Sequence, residues 1–194
     1  MIKFRLALWF KHYDVGSDID LTLLILDLKD RCDDFKRTKS TRCSGWKPPS
    51  DMDLSFFVDG SVRGNPAEAG IGGVLRDSNG KVLCLFSFYI GIMDLISAEV
   101  FAIHRACQIV ASNLPILHRK ITIFNDSSSV VSWINGDDFG NFILVGLIHD
   151  IRQFKISLAN VDFKFTPRVS NSLADSLAKR GSGGFGDRLE WGSG

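Results

Sequence analysis

The sequence predicts an α/β domain built on a mixed five-stranded sheet, three antiparallel strands followed by two parallel ones, with helices on both faces. Three observations carry this expectation. First, strand-type runs at 54–58, 69–75 and 81–89 are separated by turn formers, Arg63-Gly64-Asn65-Pro66 and Ser78-Asn79-Gly80, and so read as an antiparallel meander. Second, from Asp94 onward the apolar residues recur every three or four positions, the period of a helix. Third, two later strand-like runs, 120–124 and 159–165, are each reached through helical stretches, which favours parallel pairing by crossover.

Taken in order, residues 1–45 form a separate block, with Leu21, Leu24, Ile25 and Leu28 spaced for one amphipathic helix over about 19–32 and a mixed-charge run after it. Trp46-Lys47-Pro48-Pro49 marks a boundary, because paired prolines stop helices and extend the backbone. The domain is therefore expected over 46–181, and the glycine-rich stretch 182–194 is expected to be a flexible tail. Within the domain, Asp94 is suited to cap a helix reaching Asn113, and short helices are expected at 130–134, 142–154 and 171–180.

At 194 residues the chain suits one domain with flanking segments, and a formal net charge of +1 supplies no global basic field for a purely electrostatic binder. Cys32, Cys43, Cys84 and Cys107 show no CxxC pairing and no histidine at ligand spacing, so neither a zinc site nor a disulfide framework is expected. An intracellular location, nuclear or cytoplasmic alike, is the expectation that follows. The apolar core 6–10 is too short for a secretory signal, and no apolar run approaches the roughly 18 residues that span a bilayer. No membrane partner is expected.

Four acids fall where a sheet of this order would gather them. Asp59 ends the first strand, Glu99 lies on the apolar face of the first helix with Ile96, Ile103 and Ala106, and Asp126 follows the fourth strand. Asp175 lies near the start of the last helix. Each alone has a structural reading: Asp59-Gly60 can open a turn, Glu99 can sit at the edge of its stripe, and Asp126 or Ser127 can cap a helix. Together they differ, because the first and fourth strands can lie side by side and bring all four acids to one edge. Carboxylates converging with no Lys or Arg among them repel strongly, and divalent cations relieve that repulsion. Hard oxygen ligands select Mg²⁺, with Mn²⁺ as substitute, and a pair of ions about 4 Å apart suits in-line phosphodiester hydrolysis.

The stretch Asp59-Gly60-Ser61 with Gly64-Asn65-Pro66, Ala98-Glu99, Asp126-Ser127 and Ala174-Asp175-Ser176-Leu177-Ala178 resembles the type 1 ribonuclease H domain. It is most similar to the plant, reverse-transcriptase-like branch associated with non-LTR retroelements. Trp46-x-Pro48-Pro49 matches the usual lead-in to that domain, and the resemblance covers about 46–181. It implies the ribonuclease H-like fold and Asp59, Glu99, Asp126 and Asp175 as catalytic and metal-binding residues. It further implies a metal-dependent endonuclease that cuts the RNA strand of an RNA–DNA hybrid and leaves 3′-hydroxyl and 5′-phosphate ends. Gly60, Ser61, Asn65 and Ser127 are the expected substrate contacts, with Asn65 at a position that meets the RNA strand near its 2′-hydroxyls.

The chain also departs from the pattern. Phe165 stands where many members carry a histidine ten residues before the last Asp, and none of His12, His104, His118 or His149 is near it in sequence. Val169 replaces a common Glu, Ala67 a common Gly, and Phe124 a Glu frequent in plant members. These departures motivate an alternative, a degenerate domain, catalytically weak or inactive, that still binds nucleic acid. A monomer without a small-molecule cofactor is expected in either case.

Overall fold

Strand β1 (Leu54–Val62) runs through the middle of a six-stranded sheet of order β5-β4-β1-β2-β3-β6. In this computed structural model, residues 53–64, 66–136 and 142–192 are described. The expected N-terminal helix, the Trp46–Pro49 boundary, Cys32, Cys43 and Asn65 lie outside the described residues. β1 pairs antiparallel with β2 (Ala67–Arg76), and β2 with β3 (Val82–Met93), which is the expected meander. On the other side β1 pairs parallel with β4 (Ile121–Asn125), and β4 with β5 (Val161–Phe165). The alternating burial of half-covered strands is replaced in β1 by seven consecutive buried residues, as befits a strand covered on both faces.

The covering layers follow from the pleat, since neighbouring residues point to opposite faces. Gly60 lets helix α1 (Leu95–Ser112) approach one face so closely that a Cβ there would lie 2.5 Å from the Ala98 carbonyl carbon and the Glu99 nitrogen. On the other face Gly72, paired with Asp59, leaves room only for the backbone of helix α4 (Ser172–Ser182) at Leu177 and Ala178. Phe57, Val74 and Ala174 form the core under α4, with Phe124, Leu173 and Leu177 packed against it. Under α1, Phe56 meets Phe86 edge to face at 5.8 Å between ring centroids. Helices α2 (Ser128–Asn135) and α3 (Val145–Ser157) connect β4 to β5, and α3 packs on α1.

Several expectations are corrected. The sheet has a sixth strand, β6 (Arg188–Trp191), which pairs antiparallel with β3 inside the stretch expected to be a flexible tail. The glycines there make turns: Gly184 and Gly186 take φ of 70° and 81°, open to residues without a Cβ, and return the chain to the sheet. Asp187 then accepts a hydrogen bond from the Tyr89 N–H at 2.9 Å, which anchors the start of β6. β3 continues to Met93 past Gly91, whose φ of 87° lets the strand bend. In the expected helix 142–154, residues Phe142–Leu144 form a 3-10 turn and Ile143 is exposed, so the buried face is Ile148, Ile151 and Phe154. Ile96, expected on the buried face of α1 with Glu99, is also exposed.

Among the described residues α1 alone is long and apolar enough to cross a membrane, yet 61% of it is buried within the fold as a core helix. Cys84 and Cys107 are free and buried, and burial pushes both thiols up in pKa.

Candidate active site

The parallel register Phe57↔Phe124, continued by two residues, sets Asp59 beside Asp126, which follows β4; Asp59 does not end its strand as expected, because β1 stays paired with β2 as far as Val62. Glu99 arrives from α1, whose phase is fixed by its cap. Asp94 Oδ1 accepts from the Ser97 N–H at 2.9 Å, Oδ2 from the Ser97 hydroxyl at 2.6 Å, and both bonds hold the Asp94 carboxyl below its ordinary pKa. One turn on, the close approach at Gly60 places Glu99 Oε2 3.1 Å from the Gly60 N–H, which donates to it. Asp59, Glu99 and Asp126 thus each offer a carboxylate oxygen, all within 4.8 Å of one another.

Two asparagines hold this cluster. Asn125 Nδ2 donates to Glu99 Oε2 at 2.7 Å and to the Val58 carbonyl at 3.2 Å, while its Oδ1 accepts from the Ser127 N–H at 2.9 Å. Asn171 Nδ2 donates to Asp59 Oδ1 at 2.9 Å and to the same Val58 carbonyl at 3.0 Å. Both asparagines are fully buried. A sequence signal existed for each, since Asn125 adjoins Asp126 and Asn171 opens the expected last helix, two residues after Val169. Their functions as carboxylate holders depend on distant pairings and could not be read from spacing.

The electrostatics are those of a site lacking a counter-charge. Burial, then the Glu99, Asp126 and Asp175 carboxylates, push Asp59 up to about 9, with the Arg168 guanidinium opposing. Burial also raises Glu99 to about 7, with the Asp126 charge adding to it and the Asn125 hydrogen bond holding it back. Asp59 is 1% exposed, and its Oδ2 has no hydrogen-bond partner among the described residues. A buried anionic oxygen without a donor, beside two more carboxylates, fits a hard divalent cation.

Asp175 does not join the three. Its Oδ2 receives Lys179 Nζ at 2.6 Å, one helical turn along α4, although its charge still reaches Asp59. Arg168 Nε lies 3.3 Å from Asp126 Oδ2. The expectation that the acids converge with no Lys or Arg among them is therefore corrected: the turn before α4 and α4 itself each supply one cation. Ser61 is half-buried at the end of β1, and the Ser127 hydroxyl caps α2 by accepting from Val130 N at 3.4 Å. Phe165 ends β5 and is 52% exposed. His104 is a core residue, buried against Phe154, with burial lowering its pKa to about 4.

Comparison with known proteins agrees with this geometry. The family model described as reverse transcriptase-like matches residues 57–181. An Arabidopsis thaliana protein, provisionally named a ribonuclease H protein, is 30% identical over 141 residues, covering 71% of this chain. The match spans only 22% of that relative's length. A ribonuclease H1 isolated from compost by a metagenomic approach, LC11-RNase H1, superposes with a TM-score of 0.65 at 28% identity, covering 69% of this chain and 98% of its own. The same enzyme in complex with an RNA/DNA hybrid gives 0.63 at 27% identity, covering 68% and 98%. Ribonuclease H1 of the halophilic archaeon Halobacterium salinarum gives 0.60 at 25% identity, covering 66% and 96%. With strand order, acid cluster and family match in agreement, the chain belongs to the reverse transcriptase-like family, as a ribonuclease H domain of its plant branch.

Proposed function

We propose that this domain hydrolyses the RNA strand of RNA–DNA hybrids, using divalent cations held by Asp59, Glu99, Asp126 and Asp175. The observation that carries the reading is the cluster of three carboxylates within 4.8 Å, one of whose oxygens, Asp59 Oδ2, has no hydrogen-bond partner among the described residues. Mg²⁺, or Mn²⁺ in its place, would there supply an activated water and stabilise the leaving oxygen, with two ions as the expected number. The chain's own contribution is preorganisation. Asn171 and Asn125 fix Asp59 and Glu99 in rotamers that aim oxygens at one point, so little reorganisation is left for the reaction itself.

Gly60, Ser61, Asn65 and Ser127 are the proposed seats of the sugar–phosphate backbone. Ser127 has its N–H committed to Asn125, which leaves its hydroxyl as the group that can turn from the helix cap toward substrate. Residues 46–181 would be the catalytic unit, acting as a monomer without a small-molecule cofactor.

A second reading is a domain that binds hybrid or structured RNA and cuts it weakly or not at all. Phe165 favours it, because an exposed apolar ring at the end of β5 can move no proton beside the acids. Asp126→Asn separates the two readings. Under the nuclease reading this variant loses metal-dependent cleavage by at least about a hundredfold while hybrid binding in a filter or gel-shift assay stays within about threefold. Equal behaviour of the variant and the unaltered chain in both assays would support the binding reading.

A further inference from the structure

The four acids divide into an inner and an outer pair. Asp59 and Glu99 are 1% and 3% exposed, and their hydrogen-bond partners are neutral: the amides of Asn171 and Asn125 and the Gly60 N–H. Such donors orient a carboxylate without cancelling its charge. Asp126 and Asp175 instead face cations of the chain, Arg168 Nε at 3.3 Å and Lys179 Nζ at 2.6 Å. Those two basic side chains are 73% and 64% exposed, whereas Asp126 and Asp175 are 7% and 20% exposed. An exposed arm on a mostly covered acid can leave into solvent with little loss, because an ion pair of this kind is weak.

We infer that Arg168 and Lys179 are built-in counter-cations that compete with divalent ions for the outer acids and so grade the site. Arg168 competes for Asp126 within the cluster of three, and Lys179 competes for Asp175. Asp59 and Glu99, which accept from neutral donors and from no basic side chain among the described residues, anchor the stronger position. Asp175 supplies a weaker one, usable once Lys179 lets go. A polyanionic strand offers both arms an alternative partner. Its binding would then free Asp126 and Asp175 for metal, and metal binding would in turn free both arms for phosphate, since coupling of this kind is reciprocal. The inference rests on the metal-site reading above and adds its regulation.

The test is stepwise addition of Mn²⁺ to the full chain, with free Mn²⁺ read from its electron paramagnetic resonance signal. The unaltered chain should show one tight and one weak class of site. Lys179→Gln should tighten the weak class by about two- to fivefold and leave the tight class alone, and Arg168→Gln should tighten the tight class by a similar factor, the range expected for losing an exposed ion pair. Lys164→Gln removes the same charge from an exposed side chain of β5 that belongs to neither pair, and should change neither class. Thermal melts of the three variants check that each is folded. No shift in Lys179→Gln and Arg168→Gln, or an equal shift in Lys164→Gln, would overturn the inference while leaving the metal site intact. Failure of the unaltered chain to bind Mn²⁺ would remove the metal-site reading itself, and this inference with it.

Discussion

Burying a carboxylate oxygen without a donor destabilises the charged form, and Asp59 shows the consequence. Its pKa in the fold, about 9, lies above the ordinary 3.8, so as pH rises the unfolded chain releases this proton before the folded chain does. The resulting stabilisation is complete below pH 3.8 and is lost progressively as pH approaches about 9. Glu99 acts in the same direction between 4.5 and about 7. The metal-free protein should therefore melt at lower temperature at pH 8.5 than at pH 5.5, and Mg²⁺ or Mn²⁺ should recover most of the difference. Asp59→Asn should flatten the profile. A rise in melting temperature across that window would contradict the burial account. Asn171→Ala removes the donor shared by Asp59 Oδ1 and the Val58 carbonyl, and should destabilise by about 1–3 kcal/mol in urea unfolding. The four acids were legible because each stands in a recognisable short motif, although Asp59 lies inside β1 and not at its end. Lys179 was legible in principle as the i+4 partner of Asp175. The Arg168 pairing with Asp126 joins residues 42 positions apart in sequence (168 − 126) and has no local signature.

Elements place these side chains through close backbone approaches that only glycine allows. Gly60→Ala would set a Cβ 2.5 Å from α1 at Ala98 and Glu99, so helix and strand must part. The variant should lose about 1–3 kcal/mol of stability, as overpacked cores do, and its metal affinity should fall with it because Glu99 rides on α1. Unchanged Mn²⁺ binding in a measurably destabilised Gly60→Ala protein would show that Glu99 is not positioned by this contact. Element existence was readable where one physical pattern dominated: the meander from its turn residues, α1 from its period and its Asp94 cap. β6 escaped because glycine density reads as chain entropy, whereas Gly184 and Gly186 serve as turns and the pairing energy comes from β3. The 3-10 start at Phe142–Leu144 escaped too, since 3-10 and α turns share their apolar spacing over a few residues.

At the scale of the whole molecule, one topological fact does most to make the site. A parallel β1–β4 pair in the middle of a mixed sheet brings Asp59 and Asp126 together from 67 positions apart (126 − 59), and α1 and α4 close over opposite faces of the same edge. That arrangement was inferable from the order of strands and crossovers, because few sheets satisfy it. The departures at Phe165 and Val169 leave this architecture untouched. We propose that the edge so formed is a divalent-metal nuclease site for hybrids. It is tested most directly by incubating purified protein with an end-labelled RNA–DNA hybrid in Mg²⁺, in Mn²⁺ and in chelator. Cutting of the RNA strand alone is expected, with either metal and not with chelator, leaving 3′-hydroxyl and 5′-phosphate ends. Intact RNA at high concentrations of folded protein with both metals would contradict it.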